Sequence, residues 1–174
     1  HRFDPGVVRF MMRGSQVVFH AAEGGGIRPP EPDDRPPVRL LMYGTSITHG
    51  AAASAPHLSY AVQTARRLGV DLLNFGVGGS CQAEPQLADY FASREDWDIA
   101  SLALSVNMMG FAPEEFEKRV RHMVHTVARS HPGKPVACVT IYPYFGQLES
   151  IDHHSPQKVA RFRQILRDAV RDCP

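Results

Sequence analysis

Nowhere in the sequence does an apolar run approach the roughly 18 residues that cross a bilayer, so no membrane-spanning helix and no membrane partner are expected. Charge of one sign is missing too: 19 Lys and Arg stand against 18 Asp and Glu, a net of +1. Such a balance builds no field for polyanions, and no basic stretch is interleaved with aromatics, so nucleic acid is not an expected partner. The three cysteines, Cys81, Cys138 and Cys173, are an odd number without CxxC spacing. That argues against a disulfide framework and against a zinc site, leaving buried or idle thiols. His122 and His125 are three residues apart but fall on the outer face of an amphipathic helix with no third ligand in view, so neither a metal nor an organic cofactor is implied. The opening His-Arg-Phe-Asp-Pro lacks the apolar core of a signal peptide, and there is no initiator Met, so a processed chain or a piece of a longer one is expected. A soluble, cytoplasmic setting is favoured, with compartment and oligomeric state otherwise open.

What is present begins with length: 174 residues suffice for one domain with a sizeable core. Residues 5 to 22 alternate as two short strands would, Val7 to Met12 and Gln16 to Ala21, around a turn at Arg13-Gly14-Ser15. After Glu23-Gly24-Gly25-Gly26, the stretch Arg28 to Pro37 holds five prolines in ten residues and reads as a linker. A boundary near residue 36 follows. Residues 1–36 are then a β-hairpin remnant and linker, and 37–174 the main domain. A lone hairpin is marginal in water, so the first 22 residues are expected to pack on that domain or to be the tail of a truncated β-domain.

Beyond the linker, nearly continuous apolar runs at Val38 to Tyr43, Val70 to Phe75, Ile99 to Val106 and Pro135 to Tyr142 suit strands buried on both faces. Helices are expected at about 57–68, 84–93, 113–130 and 156–172. Phe116, Val120, Met123, Val124 and Val127 form one face of the third, and Val159, Phe162, Ile165, Leu166 and Ala169 one face of the fourth. Pro113 and Pro156 fit first turns, and Ser155 fits an N-cap. The βαβαβαβα order predicts an α/β fold, a three-layer α/β/α sandwich with a mostly parallel sheet. In such folds ligands meet the carboxyl ends of the strands.

The first strand-end loop is Tyr43-Gly44-Thr45-Ser46-Ile47-Thr48-His49-Gly50. A serine in a tight glycine-flanked turn directly after a buried strand is held on rigid scaffold and suits a nucleophile; it suits a turn or helix cap equally well. Thr48 stands where the second glycine of a GxSxG elbow would be, so this is not that motif. The second loop, Asn74-Phe75-Gly76-Val77-Gly78-Gly79-Ser80, brings unobstructed backbone N–H groups to a ligand, either an oxyanion or a phosphate. The third, Leu104-Ser105-Val106-Asn107-Met108-Met109-Gly110, ends in an uncharged side-chain amide suited to an oxyanion or simply to a turn.

Together the blocks resemble the SGNH, or GDSL-like, esterases and acylhydrolases over roughly residues 38 to 148. Gly44-Thr45-Ser46-Ile47-Thr48-His49-Gly50 is similar to that family's GDSITxG, with Thr45 for Asp. Gly79, five residues after Asn74, matches the family's oxyanion glycine. Asn107 matches the Asn of its GxND block, where Ser105 replaces Gly and Met108 replaces Asp. The resemblance implies a flavodoxin-like SGNH fold, Ser46 as nucleophile, and an oxyanion hole made by the Ser46 and Gly79 N–H groups and the Asn107 amide. Each such donor is worth about 2.7–4 kcal/mol in the transition state. Thr45, His49, Gly78 and Met108 are the expected substrate contacts, with His57 also placed to line the cleft. The implied substrates are small or carbohydrate-linked acyl esters.

The family's base, a His in a DxxH block after a fifth strand, has no match, and the sequence reaches Asp172-Cys173-Pro174 as the fourth helix closes. The expectation is a chain truncated before that strand and loop. The rival assigns the base to Asp152 with His153 or His154, against a plain solvated loop ahead of Ser155. Two other classes of function stand beside the hydrolase. One is a phosphate- or nucleotide-binding module, although a P-loop Lys and a GxGxxG are both missing. The other is an inert hydrolase domain that only binds ester ligands.

Overall fold

The computed structural model describes residues 18–104, 106–144 and 155–173. Among them the strands are β1 (Arg39–Gly44), β2 (Asp71–Gly76), β3 (Ile99–Ala103) and β4 (Val136–Val139). They form one sheet in the order β2-β1-β3-β4, with every pairing parallel. The α-helices are α1 (Ser46–His49), α2 (Tyr60–Leu68), α3 (Pro85–Ser93), α4 (Pro113–Ser130) and α5 (Pro156–Arg171).

The side-chain period of two along β1 divides the interior. Leu41 and Tyr43 face the larger core, shared with Phe91 of α3, Phe116 of α4 and Phe162 of α5, while Leu40 and Met42 meet Ala61 of α2 on the other side. The Phe116 and Phe162 rings stack with centroids 4.0 Å apart, and Tyr43 meets Phe91 at 5.3 Å. Burial stabilises by about 1.5–3 kcal/mol for each large apolar side chain, so the α3–α4–α5 face anchors the domain. With α2 on the opposite face, the molecule is the expected three-layer α/β/α sandwich. The caps follow the sequence: Ser59 Oγ accepts the Val62 N–H (3.4 Å) and Ser155 Oγ the Lys158 N–H (3.2 Å), while Pro113 and Pro156 open α4 and α5.

Several boundaries differ from expectation. β3 stops at Ala103, and Val106–Met108 is a 3-10 turn instead of strand. β4 spans only Val136–Val139, ending where Val139 pairs with Ala103, the last residue of β3, and beyond it the Ile141 carbonyl accepts from Arg163 Nε of α5 (2.9 Å). Burial on both faces describes β1, but β2 and β4 lie at the sheet margins, with Asn74 and Ala137 exposed. α2 begins at Tyr60, after a separate 3-10 turn at Pro56–Leu58. In the proline-rich segment a 3-10 turn, Pro32–Asp34, is pinned by Arg28, whose guanidinium donates to Asp34 at 2.6 and 3.1 Å. Of the expected hairpin, Val7 to Met12 and the turn lie outside the described residues. Residues 18–21 of its second strand are exposed and form no strand. No described segment pairs with them, and an isolated strand has no ladder to hold it.

Candidate active site

The register sets Gly44 opposite Gly76 and Tyr43 opposite Leu102, so the loops after β1, β2 and β3 leave the sheet at one end. At the other end Arg39 pairs with Asp71 (3.5 Å) and Asp96 (3.0 Å), which makes that end a structural ion-pair cluster.

The loop after β1 is shaped by its own backbone. Ser46 is the first residue of the one-turn helix α1, and Thr45 caps it by accepting the Ile47 N–H on Oγ1 (3.2 Å). The Gly50 and Ala51 N–H groups both donate to the Ser46 carbonyl at 2.9 Å. Ser46's own N–H lies in the first turn, where the helix supplies no acceptor. Thr48 is buried, with its hydroxyl 2.8 Å from that of Tyr60 and its carbonyl accepting from Asn74 Nδ2 (3.1 Å). The helix presses so closely on β2 that a Cβ at Gly76 would lie 2.1 Å from the His49 nitrogen. Only glycine permits that approach.

The loop after β2 reaches Ser46 by different means. The Val77 N–H donates to the Gly44 carbonyl (2.8 Å), and a Cβ at Gly78 would stand 4.0 Å from Ser46 Cβ, so the backbone at Gly78 passes beside the candidate nucleophile. Gly79 has φ +73°, and the buried non-glycine residues Cys81 (+70°) and Ala83 (+49°) share the left-handed region. Glu84 collects the loop: Oε1 accepts from the Ser80 hydroxyl (2.8 Å) and the Gln82 N–H (3.1 Å), and Oε2 accepts from the Tyr43 hydroxyl. Burial pulls the Glu84 carboxyl upward, but the Tyr43 and Ser80 hydroxyls and the Gln82 N–H outweigh it and hold the carboxyl below the usual glutamate value. Burial, then the neighbouring Cys81 and Glu84, raises the Tyr43 phenol, and burial pushes the Cys81 thiol up to about 12. Cys81 is therefore an unreactive core thiol.

From the β3 side, Asn107 sits in the Val106–Met108 turn and donates through Nδ2 to the Ser80 carbonyl, one residue beyond Gly79. An amide has two N–H donors, so one remains.

Ser46, Gly78, Gly79 and Asn107 are thus gathered at one end of the sheet. His49 and His57 are exposed on the same side, in α1 and in the turn before α2. Thr45 and Met108, expected as substrate contacts, are placed otherwise. The Thr45 side chain is buried and occupied as a cap, and Met108 is 0% exposed, drawn into the core by its apolar thioether. Asp152, His153 and His154 lie outside the described residues. His122 faces Asp89 (3.9 Å) and His125 meets the Ala169 carbonyl (2.9 Å), so the two do not act as a pair. Among the described residues no cluster of His, Cys, Asp and Glu could hold a metal ion, and no helix is long and apolar enough to cross a membrane. The residues that sequence reasoning missed are Tyr43, Thr48, Tyr60 and Glu84. A buried tyrosine at a strand end needs a hydroxyl partner, and an acid directly before a helix-opening proline was the available signal for Glu84.

A model of the GDSL-like lipase/acylhydrolase family matches residues 38–173. Among solved structures, the chain is similar to a salicylyl-acyltransferase from a tetracycline biosynthetic pathway, at TM-score 0.65 and 22% identity over 79% of this chain and 38% of the other. It is also similar to a family two carbohydrate esterase from Clostridium thermocellum, solved with cellohexaose, at TM-score 0.63 and 15% identity over 84% of this chain and 52% of the other. A carbohydrate acetylesterase family member from Sinorhizobium meliloti gives TM-score 0.58 and 17% identity over 78% of this chain and 79% of the other. At these identities the likeness shows the fold, and the chain spans only 38% of the acyltransferase's length. No curated protein matches the chain.

Proposed function

The chain belongs to the GDSL-like lipase/acylhydrolase family, and we propose that it carries the acyl-serine site of a carboxylic ester hydrolase. Ser46 Oγ attacks the ester carbonyl carbon, the carbonyl oxygen becomes an oxyanion, and the alcohol leaves with a proton. Water then releases the acyl group from Ser46. The oxyanion is met by the Ser46 and Gly79 N–H groups and by the Asn107 N–H not spent on Ser80.

The observation that carries this reading is the contact between the loops. The Val77 N–H on the Gly44 carbonyl and the Asn107 amide on the Ser80 carbonyl draw the loops after β2 and β3 to Ser46. Preorganised donors of this kind supply about 2.7–4 kcal/mol each. The base is assigned either to a DxxH block after a fifth strand or to Asp152 with His153 or His154. Small or carbohydrate-linked acyl esters are the proposed substrates, a class supported by the carbohydrate esterase and acetylesterase among the fold neighbours.

Hydrolysis of p-nitrophenyl acetate and acetylated oligosaccharides by the full-length protein and its Ser46→Ala variant tests the proposal. Turnover that disappears in Ser46→Ala supports it; turnover unchanged by that substitution contradicts it. Replacing both histidines, His153→Ala with His154→Ala, separates the two assignments of the base, since it abolishes turnover only if Asp152 with one of them serves.

A further inference from the structure

We propose that Glu84 is the positioning residue of the oxyanion loop, tying the segment that presents Gly79 and orients Asn107 to Tyr43 in the core. The inference rests on the ester-hydrolase reading of Ser46 for its catalytic consequence, and on the hydrogen bonds alone for its structural one.

Glu84 stands directly ahead of α3, where a carboxylate could simply favour the helix start. Its side chain makes no capping bond to the helix. It turns back instead, and its two oxygens accept from the Ser80 hydroxyl, the Gln82 N–H and the Tyr43 hydroxyl. Tyr43 is a fixed post: it is 0% exposed, lies on β1 three residues before Ser46, and packs on Phe91. The loop between post and carboxylate is strained at Cys81 and Ala83, non-glycine residues with positive φ. Such backbone persists only where its surroundings over-determine it.

The strain has a geometric product. It turns the Ser80 hydroxyl and the Gln82 N–H toward a single carboxylate oxygen while leaving the Ser80 carbonyl to receive the Asn107 amide. One carboxylate therefore sets two proposed oxyanion donors: Gly79 through its neighbour's side chain, and Asn107 through that neighbour's carbonyl. Arg119, whose Nη1 donates to the Gln82 carbonyl at 3.4 Å, adds a further tie from α4.

The test uses the full-length protein and two variants, Glu84→Gln and Tyr43→Phe. The second removes the post but keeps the charge at the head of α3. Steady-state ester hydrolysis is measured with hydrogen–deuterium exchange over residues 77–84 and 85–93. The expected result is that both variants speed exchange in 77–84 and lower kcat by about ten- to a hundredfold, the scale of a slightly misplaced catalytic group, with KM within about threefold. The double variant should lose little more than either single one. If Glu84→Gln speeds exchange only in 85–93, or Tyr43→Phe leaves exchange in 77–84 and kcat at wild-type values, Glu84 is a helix-start charge and the proposal is overturned. Should the wild type hydrolyse no ester, the serine reading fails, and exchange in 77–84 alone decides: faster in both variants upholds the tie, unchanged overturns it.

Discussion

The loops that carry Ser46 and Gly79 sit side by side at the end of the sheet, the first closed mainly by backbone bonds of its own turn and the second by side chains that reach across elements. Residues 43–50 close first on their own backbone, where Thr45 caps Ile47 and the N–H groups of Gly50 and Ala51 meet the Ser46 carbonyl, and are tied outward through Thr48 to Tyr60 and Asn74. Residues 76–84 are gathered by their own Glu84, on Ser80 and Gln82, and tied outward to Tyr43 of β1 and to Asn107 beyond β3. The first is mainly a local motif and the second mainly a tertiary construction. Ser46 and its own N–H thus depend first on short-range geometry, and the Gly79 and Asn107 donors of the proposed reaction on ties between elements.

That contrast can be broken at graded cost. The largest effect is expected from Asn107→Ala, which removes one donor and the tie to Ser80 together; kcat for ester hydrolysis should fall by about 10²–10³-fold with KM little changed. Gly76→Ala comes next. Its Cβ would meet the His49 nitrogen at 2.1 Å, so α1 must lift from β2, at about 1–3 kcal/mol of stability as read by chemical denaturation. Thr45→Ala should cost about 1 kcal/mol, the loss of one helix cap, and should speed exchange in 43–50 without touching 76–84.

The smallest effect is the pH response of the second loop. Its sign follows from the depressed carboxyl of Glu84. Because the folded value lies below the ordinary one, the contribution is complete above the usual glutamate range and is lost as pH falls through the folded value. Hydrogen exchange on acidification should therefore loosen 77–84 while 43–50, which holds no carboxylate, stays protected. Equal loosening of both loops would erase the distinction.

The same contrast explains what could be read from the residues. The α/β/α architecture was legible because β1 is a continuous apolar run and because α4 and α5 announce themselves with Pro113, Ser155, Pro156 and clean apolar faces. The placement of Ser46 and Asn107 at strand ends was legible because each follows a buried strand within a short, recognisable block. The ends of β3 and β4 were not, since an apolar sequence does not say whether a carbonyl meets a strand or, as at Ile141, an arginine from a helix 22 residues on. The Tyr43–Glu84 bond joins residues 41 apart, beyond the reach of any local pattern. Met108 failed for the related reason that a block position does not reveal which way its side chain turns.

In the proposed reaction Ser46 is the nucleophile that becomes acylated, facing an oxyanion hole. Fluorophosphonate labelling of the full-length protein, with the adduct mapped by peptide mass spectrometry, tests it most directly. The account predicts a single adduct on Ser46, slowed by a competing ester and lost in Ser46→Ala. Absence of an adduct on Ser46, together with measurable affinity for a nucleotide or inorganic phosphate, would contradict it and return the glycine-flanked loops to the phosphate-binding reading.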